Sequence, residues 1–331
     1  MNANDDARPS CWVDLLDPDD ATLQEAVGLP MHDTAWSRLR RPAMAPDKPS
    51  RPRLVTNDTY VWGVLTIPYQ SGEELLFREV DVVVTPDRFI TIRKTPKGSE
   101  PFPCEHIKGQ AEHRGASPGL CLYLLIDDVA EQFLDLIDGF DEDINALEDN
   151  IDDWPSTEVR TAISGLRHDL LHVRRSLAPT RDLARSVLDD RVELEHAELF
   201  PRDVELRFAD AYDKLLRATD GLDLSRDLLA GVRDYHQAQV SIEQNEVMKR
   251  LTVVASMLLL PTFIVGMYGQ NLRGIPEFHF RYGYAFSWAL IIITTIGQYV
   301  YFKRKGWIGE APPAAARPPA DNATGAAPAD R

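Results

Sequence analysis

Two stretches of this chain lack charge altogether. Residues 251–272 and 282–302 contain no Asp, Glu, Lys, Arg or His. A bilayer core is ~30 Å thick and takes roughly 20 apolar residues of helix to cross. Each stretch therefore reads as a membrane span, and the missing ionisable groups argue against a proton relay inside the membrane. Cysteine is scarce: Cys11, Cys104 and Cys121 lie far apart with no CxxC pair. That pattern supplies no zinc or disulfide framework and suits a reducing cytoplasm. The opening residues 1–10 lack an apolar segment, so no signal peptide is expected. Basic residues are in deficit, 36 Lys and Arg against 52 Asp and Glu for a net charge of -16. Such a surface argues against a nucleic-acid partner, which needs a basic face, and suits cations instead. No nucleophile triad, phosphate-binding loop or metal-ligand cluster is found, so no enzymatic activity is expected.

What is present organises around the spans. Lys249 and Arg250 precede the first, Lys303, Arg304 and Lys305 follow the second, and the loop at 273–281 holds Arg273 and Arg281 around Glu277. The positive-inside rule places both termini, and the large segment before the first span, in the cytoplasm. The setting is a cell membrane, crossed twice.

The expected fold class is an α+β cytoplasmic domain, then a long helical stalk, then two C-terminal transmembrane helices. Within the α/β domain at 11–127, Trp12–Leu16 reads as a strand. Asp19 or Asp20 caps a helix over 21–27. Residues 60–67 are β-rich, and 75–84 and 88–94 form a hairpin around Pro86 and Asp87. The Gly-, Pro- and Ser-rich stretch 95–118 reads as loop and 122–126 as a last strand. An acidic helical hairpin follows at 128–202. Phe133, Ile137, Phe140, Ile144 and Leu147 recur at helical spacing, with Asp135, Asp138, Asp141, Glu142, Asp143, Glu148, Asp149, Asp152 and Asp153 on the other faces. That acidic face is either solvated surface or an attractor of cations. Pro155 ends the helix and Ser156 caps the next. A stalk helix at 203–250 meets no proline between Pro201 and Pro261 and runs on to about 270, roughly 100 Å at 1.5 Å per residue. One chain cannot bury such a helix, so a homo-oligomer is expected. Residues 1–10 are expected to be disordered. The end of the chain, 303–331, reads as a basic segment followed by a disordered Ala/Pro tail.

The first span, 251–272, has two unlike faces. Met248, Thr252, Ala255, Leu259, Thr262, Gly266 and Gly269 form one stripe, mostly small or hydroxyl-bearing; Val253, Met257, Leu260, Ile264 and Met267 form the opposite, large apolar one. The small stripe suits close helix packing or a water-lined conduit, which use the same residue types. The span ends in Tyr268-Gly269-Gln270-Asn271. Gly269 lets the backbone turn, and the Asn271 amide offers an acceptor and a donor. Repeated around an axis, these give a neutral ring able to hydrogen-bond the waters of a hydrated cation. Mg²⁺ dehydrates reluctantly, so holding its water shell costs less than stripping it. Passive flow driven by the membrane potential follows, at ~4.6 kcal/mol per divalent ion per 100 mV.

In these residues the chain resembles the CorA family of divalent-cation channels and transporters. The resemblance rests on Asn245-Glu246-Val247-Met248-Lys249, Leu251-Thr252, Pro261-Thr262-Phe263-Ile264, Tyr268-Gly269-x-Asn271, Ile275-Pro276-Glu277 and the basic end Phe302-Lys303-Arg304-Lys305-Gly306-Trp307. It covers about 11–308. It implies a funnel-shaped homopentamer whose first span lines the pore. It also implies Gly269, Gln270 and Asn271 at the selectivity site and Tyr268 beside it. Thr262, Leu259, Ala255 and Thr252 would line the conduit, with Leu251 and Met248 as the constriction and Glu277 in the loop. Asp210 and Asp213 fall where the family's inter-subunit regulatory Mg²⁺ site would be, and Glu100 is the acidic residue in the stretch expected to complete it. Gln270 departs from the family's usual methionine, and zinc-transporting relatives often carry isoleucine there. The resemblance implies passive Mg²⁺ and Co²⁺ influx gated by cytoplasmic Mg²⁺, with no organic cofactor. A Zn²⁺ transporter of the same fold, proton-coupled or not, and a non-conducting membrane-anchored scaffold are the alternatives. His172, His196 and His236, weighed as zinc ligands, are set aside because none is paired at ligand spacing.

Overall fold

The computed structural model describes residues 11–72, 74–96, 98–270 and 281–309. The chain divides into two compact units, Met1–Asp234 and Tyr235–Arg331.

The first unit is built on a five-stranded sheet in the order β1-β5-β4-β3-β2, from β1 (Trp12–Leu16), β2 (Arg53–Thr56), β3 (Val61–Ser71), β4 (Glu74–Val84) and β5 (Phe89–Arg93). β1 pairs parallel with β5, and the remaining pairs are antiparallel. The period-2 alternation of strands sends side chains to opposite faces. Val80, Val82, Val84 and Phe89 face one core with the long helices, while Val83, Ile90, Ile92 and Trp62 face a second core with α1 (Asp20–Val27) and α2 (Asp33–Leu39). The α1 cap is as expected: the Asp19 side chain accepts from the Thr22 amide at 2.8 Å. On the α2 side, Arg38 donates to Asp81 and to Glu79, each at 2.9 Å, and Lys94 donates to Asp81 at 2.5 Å. All four side chains are buried.

Across the sheet lie α3 (Glu105–His113), α4 (Pro118–Asn150), α5 (Ser156–Leu188) and the first part of α6 (Arg202–Tyr268). The stripe Phe133, Ile137, Phe140, Ile144 and Leu147 is buried throughout, and the α6 residues Phe208, Ala211, Leu215, Ala218 and Leu222 share its core. Of the acidic residues on the other faces of α4, Asp141 is half-buried and accepts from Ser225 of α6 at 2.7 Å; Asp135, Asp138, Glu142, Asp143, Glu148 and Asp149 are exposed.

The structure corrects the reading of 95–126. The stretch 95–118 is not all loop, because α3 forms inside it and buries Ile107 and Ala111. The segment 122–126 is not a strand but part of α4. That helix starts at Pro118 in its first turn, and the Ser117 hydroxyl accepts from the Leu120 amide at 3.3 Å. Continuous apolar character there reflects burial on several sides, which a central strand and a covered helix share. A boundary at 127 therefore falls inside α4. Ser156 begins α5 without capping it, since Pro155 holds the cap position and no side-chain cap bond forms. The helix α2 and the strand β2 were not anticipated. The termini 1–10 and 310–331 lie outside the described residues.

Among the described residues, α6, whose remainder lies in the second unit, and α7 (Gly283–Arg304) are the two helices long and apolar enough to cross a membrane. The expected fold class is thus observed: an α/β sheet domain, a long helix and an apolar C-terminal helix. α6 holds 67 residues, about 100 Å of helix. α7 holds 22, about 33 Å. It ends in a Schellman-type turn: Gly306 takes a left-handed φ of 69°, its N–H donates to Lys303, and the Trp307 N–H donates to Phe302. Trp307 stacks on Phe302 with centroids 5.5 Å apart. Tyr282, Tyr284 and Trp288 mark the other end of α7. Aromatic residues at both ends of an apolar helix are the pattern of a membrane interface.

Candidate ion-conducting site

The two faces of the first span are treated differently by the fold. Val253 and Ile264 are 6% and 5% exposed, whereas Met248, Leu251 and Leu259 are 59%, 60% and 71% exposed. Ser256, Met257 and Leu260 are half-buried on the same side as Val253 and Ile264. Gln298 of α7 donates to the Ser256 carbonyl at 3.2 Å on that side. Half a turn away, Thr252, Ala255, Thr262, Gly266 and Gly269 are all exposed. The face of Val253, Met257, Leu260 and Ile264 is therefore the covered one, and the small and hydroxyl-bearing stripe is left open within a single chain, together with Val254, Leu258, Phe263 and Val265. Met267, expected with the large face, is instead exposed.

The hydroxyls on the open stripe are oriented. Thr252 donates to the Met248 carbonyl at 2.8 Å and Thr262 to the Leu258 carbonyl at 2.6 Å. With its proton committed to the preceding turn, each hydroxyl oxygen keeps its acceptor lone pairs free. Pro261 sits inside α6 without ending it. It has no N–H to offer the carbonyl four residues earlier. The helix stops at Tyr268, which is half-buried, and Gly269 and Gln270 form an exposed turn. Asn271 and Glu277 lie outside the described residues, as does the rest of the loop to 280.

Asp210 and Asp213 are exposed on α6, and neither has an ion-pair partner among the described residues. Lys214 beside them is committed to Asp127 and Glu131 of α4, at 2.8 and 2.5 Å. Glu100 is exposed. Among the described residues no group of three or more His, Cys, Asp or Glu comes together to hold a metal ion.

Two pairings escaped the sequence reading. Cys11 and Cys121, far apart in sequence, bring their sulfurs to 3.5 Å as free thiols. Burial pushes the third thiol, Cys104, up to about 12, which leaves it inert. His172 does have a partner at ligand spacing, His168 on the preceding turn of α5, their ring centroids 4.3 Å apart. Burial, then the neighbouring His168 and Arg175, hold the His172 ring below the usual histidine value against the pull of Asp47. The pair is written plainly in the sequence and needed only a search of every histidine at i±4. His196 lies 3.9 Å from Glu195, and His236 is buried on α6.

A family model described as CorA-like Mg²⁺ transporter protein matches residues 9–304. The cobalt/magnesium transport protein CorA of Thermotoga maritima is 32% identical over 187 residues, 56% of this chain and 52% of that protein. The match thus spans about half the length of that relative. Among solved structures, the complete CorA magnesium transporter of Methanocaldococcus jannaschii superposes with a TM-score of 0.71 at 22% identity, covering 90% of this chain and 91% of that one. The cytoplasmic domain of ZntB from Vibrio parahaemolyticus gives 0.51 at 15% identity over 70% of this chain and 87% of that one.

Proposed function

The chain belongs to the CorA-like Mg²⁺ transporter family, and from that premise we propose that it is a passive channel for Mg²⁺, and also Co²⁺, driven by membrane potential and closed by cytoplasmic Mg²⁺. The observation that carries the reading is the open stripe of α6. α7 lies on the large apolar side, so the small residues and the two oriented hydroxyls are available to face an axis. In a homopentamer, five such stripes enclose a conduit. Thr252, Ala255 and Thr262 line it with small groups and acceptor oxygens suited to water around an ion. Leu259, Leu251 and Met248 narrow it with apolar side chains, which gate by dewetting. Gly269, Gln270 and Asn271 form the neutral outer mouth beside Tyr268, and Glu277 collects ions in the loop. Both termini are cytoplasmic. Mg²⁺ is cargo and regulator, and no organic cofactor or chemical conversion is involved.

Closure follows from charge. Asp210 and Asp213 are exposed acids without ion-pair partners among the described residues, set in a subunit of net charge -16. Mg²⁺ bound between subunits at these residues offsets their repulsion and holds the ring shut. Its loss frees the ring to open. Asp210→Ala is expected to raise several-fold the cytoplasmic Mg²⁺ needed to stop flux, read from Mg²⁺ uptake into vesicles at graded internal Mg²⁺. An unchanged threshold would remove Asp210 from the gate.

The proposal as a whole is tested by flux into liposomes holding the purified chain, comparing Mg²⁺, Co²⁺ and Zn²⁺ with and without a pH gradient. Mg²⁺ and Co²⁺ uptake that follows the potential and ignores the pH gradient is expected. Zn²⁺-preferring, proton-coupled uptake would move the chain to the zinc branch of the fold, and no uptake of any ion would make the spans a tether.

A further inference from the structure

A pair of histidines on α5, in the first unit, has the donor chemistry of a metal site. His168 and His172 lie four residues apart on one helix face, their rings tilted 40° at a centroid separation of 4.3 Å. Side chains at this spacing are neighbours on a helix surface, and two imidazoles so placed can clasp one ion, as they do in helical zinc motifs. Neither ring makes a hydrogen bond or ion pair among the described residues. Two other histidines of the domain are committed: His106 is bonded to Asp128 at 2.7 Å, and His32 caps α2 through its ring. His168 is exposed and His172 half-buried, so an ion from solvent reaches both.

The charge around the pair is mixed, with Arg160 lining the first cleft among the acids there. His168 and Asp169 line one cleft with Asp47 and Glu74, and His172 lines the adjacent cleft, which Asp47 also borders. Lys48, Arg51, Arg174 and Arg175 border the second cleft and oppose a cation there. Arg174, however, is engaged by Asp223 at 3.6 Å. The donors are nitrogen, which suits Zn²⁺, Co²⁺, Ni²⁺ and Cu²⁺ and not Mg²⁺, an oxygen-seeking ion. No third protein ligand completes the set among the described residues, so water fills the other positions and the ion exchanges freely.

We propose that His168 and His172 form a two-histidine binding site for divalent transition-metal ions on the cytoplasmic domain, selective against Mg²⁺. The site stands independently of whether the pore conducts Mg²⁺. It gives the domain a means of registering Zn²⁺- or Co²⁺-class ions in the presence of abundant Mg²⁺, which oxygen ligands alone do not provide.

The test is calorimetric titration of Zn²⁺ into the full-length chain in detergent, in a large excess of Mg²⁺ that fills oxygen sites. Binding of Zn²⁺ at one site is expected, weakened about tenfold or more in His168→Gln and in His172→Gln, because the second of two linked donors acts at high effective concentration. Cu²⁺ added to the native chain is expected to show spin coupling to two imidazole nitrogens, a readout that needs no variant to fold. Unchanged Zn²⁺ affinity in both variants, displacement of Zn²⁺ by Mg²⁺, or Cu²⁺ without two-nitrogen coupling would each overturn the site.

Discussion

Liposomes carrying Asn271→Ala are expected to take up Mg²⁺ at less than about a tenth of the native rate, with the assembly unchanged in size. A hydrogen bond to a charged group contributes about 1.5–3 kcal/mol, and 1.4 kcal/mol is about tenfold in rate. A hydrated divalent ion at a ring of five Asn271 amides loses several such bonds at once when the amide becomes a methyl. Asn271 follows directly in sequence on the exposed turn at Gly269 and Gln270 that ends α6, and truncating it removes the amide proposed for the mouth. Gln270→Ala serves as the comparison. If Gln270 shares the binding of hydrated ions, its loss lowers uptake by a smaller factor; if it faces away, uptake is unchanged. Native uptake by Asn271→Ala would refute the neutral-ring mouth. Collapse of the assembly would be seen in its size, and would show a structural role instead.

Asp81→Ala is expected to destabilise the cytoplasmic domain by about 3–5 kcal/mol, the usual result of breaking a buried ion pair from one side. Asp81 is 1% exposed and accepts from Arg38 at 2.9 Å and Lys94 at 2.5 Å. Without it, Arg38 keeps only Glu79 and Ser50, at 2.9 and 2.8 Å, and Lys94 keeps only the Arg38 carbonyl at 3.3 Å. Two buried cations are then left with one carboxylate, Glu79, which bonds Arg38 and not Lys94. Domains of this kind are stable by about 5–15 kcal/mol, so the loss is a large share, on the order of 10 °C in Tm. Asp223→Ala is the control, because Asp223 is half exposed where it meets Arg226 and exposed pairs contribute about 0–1 kcal/mol. Thermal unfolding of the full chain reads both. A shift for Asp81→Ala no larger than the control would mean that water reaches the vacated carboxylate position.

Much of this molecule is local enough to be read from its residues. The spans are legible because a bilayer selects on composition over about 20 residues, whatever the rest of the chain does. The β4–β5 hairpin is legible because Pro86 and Asp87 mark the turn between two β-branched runs, and the strands pair as expected with Val84 opposite Phe89. The α4 stripe from Phe133 to Leu147 is legible because one apolar face has one period. The motif around Gly269 and Asn271 identifies the candidate mouth by residue type alone.

Other features depend on what lies opposite in space. Whether 122–126 is strand or helix was settled by packing, since α4 is covered there by the sheet and by neighbouring helices, and a run buried on all sides has no period to read. The meeting of Cys11 with Cys121 and the closure of Arg38 on Asp81 join residues separated by long stretches of chain. Nothing in local sequence encodes such a distance. The small-residue stripe of α6 was visible as a pattern with two readings, packing or conduit. The sequence by itself determined that the span has two unlike faces. Only the tertiary structure decided which one is open, because α7 takes the side of Val253, Ser256 and Ile264 and leaves Thr252, Ala255 and Thr262 uncovered.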